Sequence, residues 1–355
     1  MIQRKYLIFV AGLLVIAAAW TAGWFWLAQK VEADIAEFAA RGGAETVELA
    51  WDSVSISGFP VRLNARLEKP RGVWSEDGRK IAWTGANAVI GFFSEGRDTV
   101  SFEAPGTHEF NIRHAGARFN VDTQSDDLRG RVDFGGDGRM HGLRGLATGV
   151  AIRINDTGSA AIGSIAFDWS QADGTPTPAS VHPEDVGQTV AFVLSEIDIA
   201  DSNLDPNVSR ILGSRIARFA GDLSLRGAIE PGDINPVTLS RWRDAGGTLE
   251  LENVDVSWGP LRLAGEGTLA LDQALQPVGA FTARVTGLDR LIDVLEQTGE
   301  MRPQQAAIAR IALAVLTRAP AGGGPPEARV PVAIQNSVVS IGPVSLLKLA
   351  PIAWN

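Results

Sequence analysis

The chain changes its hydrophobic period twice. Residues 6–27, YLIFVAGLLVIAAAWTAGWFWL, are apolar almost without interruption. At about 1.5 Å per residue a helix of that length reaches roughly 33 Å, enough to cross a hydrocarbon core. Residues 28–43 then carry Val31, Ile35, Phe38 and Ala39 at helical spacing, and Gly42 and Gly43 end the pattern. Beyond that point the period falls to two. Val61, Leu63, Ala65 and Leu67 alternate with Arg62, Asn64 and Arg66, and Val150, Ile152 and Ile154 alternate with Ala151, Arg153 and Asn155. Ile165/Phe167/Trp169, Leu223/Leu225, Leu249/Leu251, Leu261/Leu263 and Leu269/Leu271 repeat the pattern. Such segments read as strands with one apolar and one wetter face, as in an antiparallel sheet.

Helical spacing returns in two regions. Pro183, Glu184 and Asp185 make a first turn ahead of Val186, Val190 and Val193 or Leu194, and Asp205-Pro206-Asn207 starts another with Val208, Ile211, Leu212 and Phe219 inward. Leu288, Leu291, Ile292 and Leu295 predict an amphipathic helix stopped near Gly299, and Pro303 restarts it with Ile308, Ile311, Ala312 and Val315 as the next stripe. PAGGGPP at 320–326 is the clearest loop.

The expected fold is therefore mainly β (α+β): a single N-terminal transmembrane helix, then extended antiparallel sheet modules with a few flanking amphipathic helices. The expected division is a cytoplasmic N-terminus at 1–5, the transmembrane helix at 6–27, a juxtamembrane helix at 28–43, an N-terminal β region at 44–172 and a C-terminal β region with helices at 173–355. The Pro- and Thr-rich stretch at 172–183 sets the last boundary.

Charge orients the first segment. Arg4 and Lys5 precede the apolar run, and Glu32, Asp34 and Glu37 follow it, so the positive-inside bias keeps the N-terminus in the cytoplasm. Tyr6 marks the near interface, and Trp20, Trp24 and Trp26 gather at the far one. A cleaved signal peptide carries a shorter apolar region, about 7–15 residues, so a retained anchor is the expectation. The implied location is a bacterial inner membrane, single-pass, with the bulk in the periplasm.

The chain also copies itself. Residues 54–63 (VSISGFPVRL) align without gaps on 254–263 (VDVSWGPLRL), and 251–263 align on 334–346, with Asn253 matching Asn336. Each copy centres on a Gly/Pro turn: Gly58 and Pro60, Gly259 and Pro260, Gly342 and Pro343. Proline removes a ladder donor and glycine admits unusual dihedrals, so each turn should bend a strand or join two.

The anchor, the 57–62 segment SGFPVR, the Trp258-Gly259-Pro260 turn and the closing Asn336…Gly342-Pro343 turn together resemble an uncharacterised family of proteobacterial single-pass inner-membrane proteins with an exported domain. That resemblance implies an envelope location and assigns no reaction. More distantly, GDLSLRG at 221–227 and LAGEGTLALD at 263–272 are similar in style to AsmA-like envelope proteins, whose long β-sheets form lipid-accommodating grooves.

Composition narrows the chemistry. The net charge is −9 with no basic cluster, which excludes phosphate-driven nucleic-acid binding. The chain has no cysteine, which removes disulfides, thiolate metal sites and a cysteine nucleophile. His108 and His114 share strand parity with Phe110 and Ile112, but two histidines without a spaced carboxylate make a poor zinc signal. Asp122, Asp126 and Asp127 lack calcium-loop spacing. Arg62 and Arg262 occupy equivalent repeat positions and are the candidate contacts for an acidic headgroup, against a competing reading as cross-strand ion-pair partners. No catalytic residue, metal ligand or cofactor is assigned. The functional expectation is a non-catalytic, membrane-anchored envelope protein that binds or shuttles lipid on an apolar sheet face. The alternative is a structural or assembly factor acting on another envelope protein.

Overall fold

The computed structural model describes residues 18–33, 35–37, 47–76, 79–92, 98–114, 117–155, 158–172, 185–200, 204, 206–227, 229, 235–318, 326–341, 344–352 and 354. Arg4, Lys5, Tyr6, His182, Gly342 and Pro343 lie outside them. The protein is mainly β and antiparallel, with few helices. Its contacts divide it into two units, Met1–Arg139 with Ile152–Asp156, and Met140–Ala151 with Thr157–Asn355.

The first unit begins with helix α1, helical at 18–33 and 35–37. No helix among the described residues is long and apolar enough to cross a membrane. Residues 6–17 of the apolar run lie outside the described ones.

The sheet that follows comprises β1 (Val47–Ala50), β2 (Ser53–Ser57), β3 (Leu63–Glu68), β4 (Arg71–Glu76), β5 (Arg79–Gly85), β6 (Asn87–Phe92), β7 (Thr99–Glu103), β8 (Gly106–His114), β9 (Ala117–Ser125) and β10 (Asp127–Phe134). These ten pieces are five long strands, each interrupted once. Val47↔Trp74 in β1–β4 and Ser57↔Asn64 in β2–β3 keep one register, as do Leu63↔Phe92 in β3–β6 and Glu76↔Arg79 in β4–β5. Backbone bonds bridge the interruptions: Asp52 N–H to Glu68 O, Lys69 N–H to Ala86 O, Gly85 N–H to Pro70 O, Ala86 N–H to Thr107 O and Ala104 N–H to Leu128 O. The interruptions therefore align as one crease across the sheet. Pro70, which lacks an N–H, and the left-handed Lys69 and Gly106, at φ 46° and 101°, mark it. The core is clearest on β3, where Leu63, Ala65 and Leu67 are 2%, 0% and 8% exposed and their neighbours face outward. Val61, expected in the same alternation, is 77% exposed because the strand begins only at Leu63.

The second unit is a meander of longer strands. These are the first residues of β11 (Met140–Ile154), then β12 (Gly158–Gln171), β13 (Val186–Ile199), β14 (Arg215–Arg226), β15 (Thr248–Trp258), β16 (Leu261–Leu271), β17 (Pro277–Thr286), β18 (Thr317–Arg318), β19 (Glu327–Gln335), β20 (Val338–Ile341) and β21 (Val344–Lys348). From β12 onward successive strands pair antiparallel, except that β17 pairs with β19, and β18 pairs with the first residues of β19 on its other edge. The Val186–Leu194 segment, expected as a helix, is strand β13: Val190, Phe192 and Leu194 stand opposite Trp169, Phe167 and Ile165. Its period of two outweighs the helical first-turn signal before it. The stretch at 172–183 accordingly follows β12 and precedes β13, which pair with each other.

Helix α2 (Pro206–Leu212) is shorter than its sequence pattern, because Phe219 belongs to β14. Helix α3 (Pro236–Asp244) is not among the expected elements: Asn235 Oδ1 accepts from the Val237 and Thr238 N–H groups at 3.0 Å each, and Leu239 and Trp242 are buried. Helices α4 (Leu288–Gln297) and α5 (Pro303–Leu316) match the expectation. The inward stripe does not: Ile308 and Ile311 are 67% and 69% exposed, and Ala306 is buried.

Candidate apolar ligand site

The crease of the first unit forms a half-open apolar pocket of about 490 Å³. Every creased strand contributes to it. Leu49 and Trp51 come from the first, Leu67, Pro70 and Arg71 from the second, Trp83 and Ile90 from the third, Phe102 and Phe110 from the fourth, and Thr123 and Leu128 from the fifth. An engineered cavity of about 150 Å³ holds a benzene ring, so this volume takes an acyl chain or a fused ring system.

The histidine, threonine and arginine on the wall already have partners. His108, 5% exposed, lies between Trp83 and the turn at Ala104. Trp83 Nε1–H donates to its Nδ1 at 3.3 Å, and the two rings lie nearly parallel with centroids 6.0 Å apart. An indole nitrogen only donates, so Nδ1 is the acceptor; His108 is the Nε2–H tautomer and donates to Ala104 O at 2.7 Å. Thr123 Oγ1 donates to His108 O at 3.4 Å. The one charged lining side chain, Arg71, pairs with Asp52 at 2.8 Å, and Lys69 lies 3.5 Å from the same carboxylate. The hydrogen bond from Arg71 holds the Asp52 carboxyl below its ordinary pKa, with the charges of Lys69 and Arg71 helping. The walls thus offer ring and alkyl surface, with cations at a single place.

The second unit presents its apolar side chains differently. Leu223 stands beside Val190, Leu251 beside Leu223, Val256 beside Phe219, and Leu263 beside Val256. All lie on one face, and all are half-buried except Phe219, which is 40% exposed. The opposite face carries ion pairs such as Arg226–Glu250 at 2.7 Å and Arg218–Asp255 at 3.2 Å.

The residues singled out in the sequence fall in separate places. Gly58 and Pro60 belong to the loop joining β2 to β3. Gly58 has φ 105°, and a Cβ there would stand 2.7 Å from Arg62 O, so only glycine fits. Gly259 and Pro260 form the tight turn between β15 and β16, and Gly342 and Pro343 fall between the paired β20 and β21. Asn253 and Asn336, equivalent in the repeat, both adopt left-handed φ, at 51° and 52°. The third copy is therefore like the second in this backbone singularity. Arg62 is exposed in the first unit. Arg262, exposed on β16, donates to Ser257 Oγ at 3.3 Å on the face away from Leu261 and Leu263. Neither arginine lines the cavity. Trp20 and Trp24 dock on the Gly58–Arg62 loop, and Trp26 is 64% exposed.

Sequence reasoning missed Arg71, Ile90, Phe102 and Leu128 as a group. The available signal was a proline or small residue, Pro70, Ala86 and Pro105, between two alternating runs. His108 shares its strand parity with Phe110, and both do line the cavity.

A mainly β protein with an apolar pocket in a creased sheet is the class these features define. The family of uncharacterized proteins conserved in bacteria known as DUF2125 matches residues 24–350. The chain belongs to that family. A comparison with curated proteins finds no match.

Proposed function

We propose that this is a non-catalytic, membrane-anchored envelope protein that binds the acyl part of a lipid on its apolar sheet surfaces. The crease cavity is the observation that carries this reading: about 490 Å³, apolar-walled, with its histidine already bonded at both ring nitrogens. A site so lined rewards transfer of hydrocarbon from water, at about 0.8 kcal/mol per CH₂. Nothing on its wall is poised to attack a substrate. The half-open apolar face of the second unit adds surface of the same character. The uninterrupted run at 6–27 supports a tether beside a lipid source.

Mild extraction followed by mass spectrometry of bound lipid tests the proposal, together with uptake of a fluorescent fatty acid. Ala88 lines the cavity, so Ala88→Phe should fill it and reduce probe uptake at least tenfold while the chain stays folded. Unchanged uptake in a folded Ala88→Phe protein would refute the site.

Exposed Ile308 and Ile311 on α5 favour a second reading, an assembly factor that presents this helix to an envelope protein. Site-specific photocrosslinking at Ile311 in intact cells distinguishes the two. A single stoichiometric protein adduct favours the assembly role.

A further inference from the structure

We infer that the loop between β2 and β3 is a second membrane contact, a wedge that enters the lipid interface beside α1. Trp20 and Trp24 lie one helical turn apart, and their indole N–H groups donate to Pro60 O and Arg62 O, each at 2.9 Å. The Trp24 ring meets Phe59 edge-on at 5.4 Å and Phe25 at 5.2 Å, and Phe25 stacks on Phe59 at 6.0 Å. Within the loop, Arg62 N–H donates to Gly58 O at 2.8 Å. Helix and loop are therefore one fixed body.

That body shows water its apolar side. Phe59 is 48% exposed, Val61 77%, Trp20 60%, Phe25 54% and Trp26 64%. These are five of the large exposed apolar side chains of the protein, gathered on one short helical stretch and one loop. An exposed cluster of this kind marks an interaction surface. Three observations commit it to lipid. Trp20, Phe25 and Trp26 are the end of the apolar run at 6–27, so whatever solvent that run meets is the loop's neighbour. Trp20 and Trp24 satisfy their N–H groups within the protein, and Pro60 has none, which lowers the cost of withdrawing this surface from water. Lys30 places its ammonium 5.7 Å from the Trp26 ring centroid, one turn further along α1, where a headgroup phosphate would meet it.

The wedge rests on the anchor assumed under the proposed function, and it adds a consequence: two contacts fix the orientation of the first unit on the bilayer, where one flexible tether would not. It also accounts for Val61, an apolar residue that the strand pattern places inside and the fold leaves outside.

The chain has no cysteine, so a single probe site is unambiguous. Val61→Cys and, as a control on the exposed side of β9, Gln124→Cys are labelled with a polarity-sensitive fluorophore. The full chain is then reconstituted into phosphatidylcholine–phosphatidylglycerol vesicles carrying shallow spin-labelled lipid. The wedge predicts a blue shift and strong quenching at position 61 and neither at 124. Trp20→Phe with Trp24→Phe keeps aromatic rings but removes both donors, and it should reduce quenching at 61 several-fold without changing flotation. If the chain floats with the vesicles and position 61 stays aqueous, the wedge is wrong and the anchor stands. A chain that does not float removes both. Disulfide-linked dimers of the unlabelled Val61→Cys protein, with no quenching of the labelled one, would show that a second copy covers the patch and would overturn the lipid assignment.

Discussion

The two units apply the same alternating pattern to opposite ends. In the first, five strands are each broken once on a common line into pieces of four to nine residues, and the sheet creases around its own apolar face. In the second, β11 to β17 run ten to fifteen residues, and the apolar face stays half exposed. Pro70, Ala86 and the Ala104-Pro105 pair make the difference. Where such breaks recur in register, a sheet closes a pocket with no second layer; without them it remains an open surface.

The largest expected contrast comes from truncating one apolar residue in each unit. Leu63→Ala, at a site 2% exposed, should cost about 2–5 kcal/mol in denaturant unfolding. Phe192 is half-buried on β13, so Phe192→Ala should cost clearly less than the about 3–5 kcal/mol of a sealed phenylalanine. An equal or greater loss at Phe192 would mean that the second unit's face is closed. Next in size, Trp83→Phe removes the donor to His108 Nδ1 and strands a buried acceptor, at about 1–3 kcal/mol. The same variant should leave the cavity open and fatty-acid uptake nearly unchanged, because an aromatic ring remains. Uptake lost in proportion to stability would tie the pocket to that hydrogen bond instead.

Much of this contrast could be read from the sequence, and the reasons for the gaps are local. Strand periodicity located β3, β12, β15 and β16 because one face of each is apolar, and proline restarts located α4 and α5. Val186–Leu194 misleads because three acidic or proline residues imitate a helix start, while only the partners Ile165, Phe167 and Trp169 reveal a strand. Helix α3 carries too few apolar residues for a stripe; its signal was Asn235-Pro236, a cap followed by proline. The cavity was out of reach, since its lining comes from five strands whose crease positions align only through register.

The smallest expected effect sharpens the picture at the pocket's charged edge. Asp52 has a folded pKa below its unfolded value of about 3.9, so its contribution is present above that value and is lost as pH falls through the lower folded one. Asp52→Asn should flatten the acid limb of the stability curve and change little at neutral pH, as expected for an exposed pair. Acid unfolding monitored by tryptophan fluorescence reads this directly, and an unchanged limb would show that other carboxylates govern it.

Photolabelling with a diazirine-bearing fatty acid, mapped by peptide mass spectrometry on the full chain, asks where an acyl chain rests. Adducts concentrated on Ile90, Phe102 and Leu128, and competed away by unlabelled fatty acid, are the predicted result. Labelling spread over the surface, or absent from those strands while the protein remains folded, would contradict the creased sheet as a lipid site.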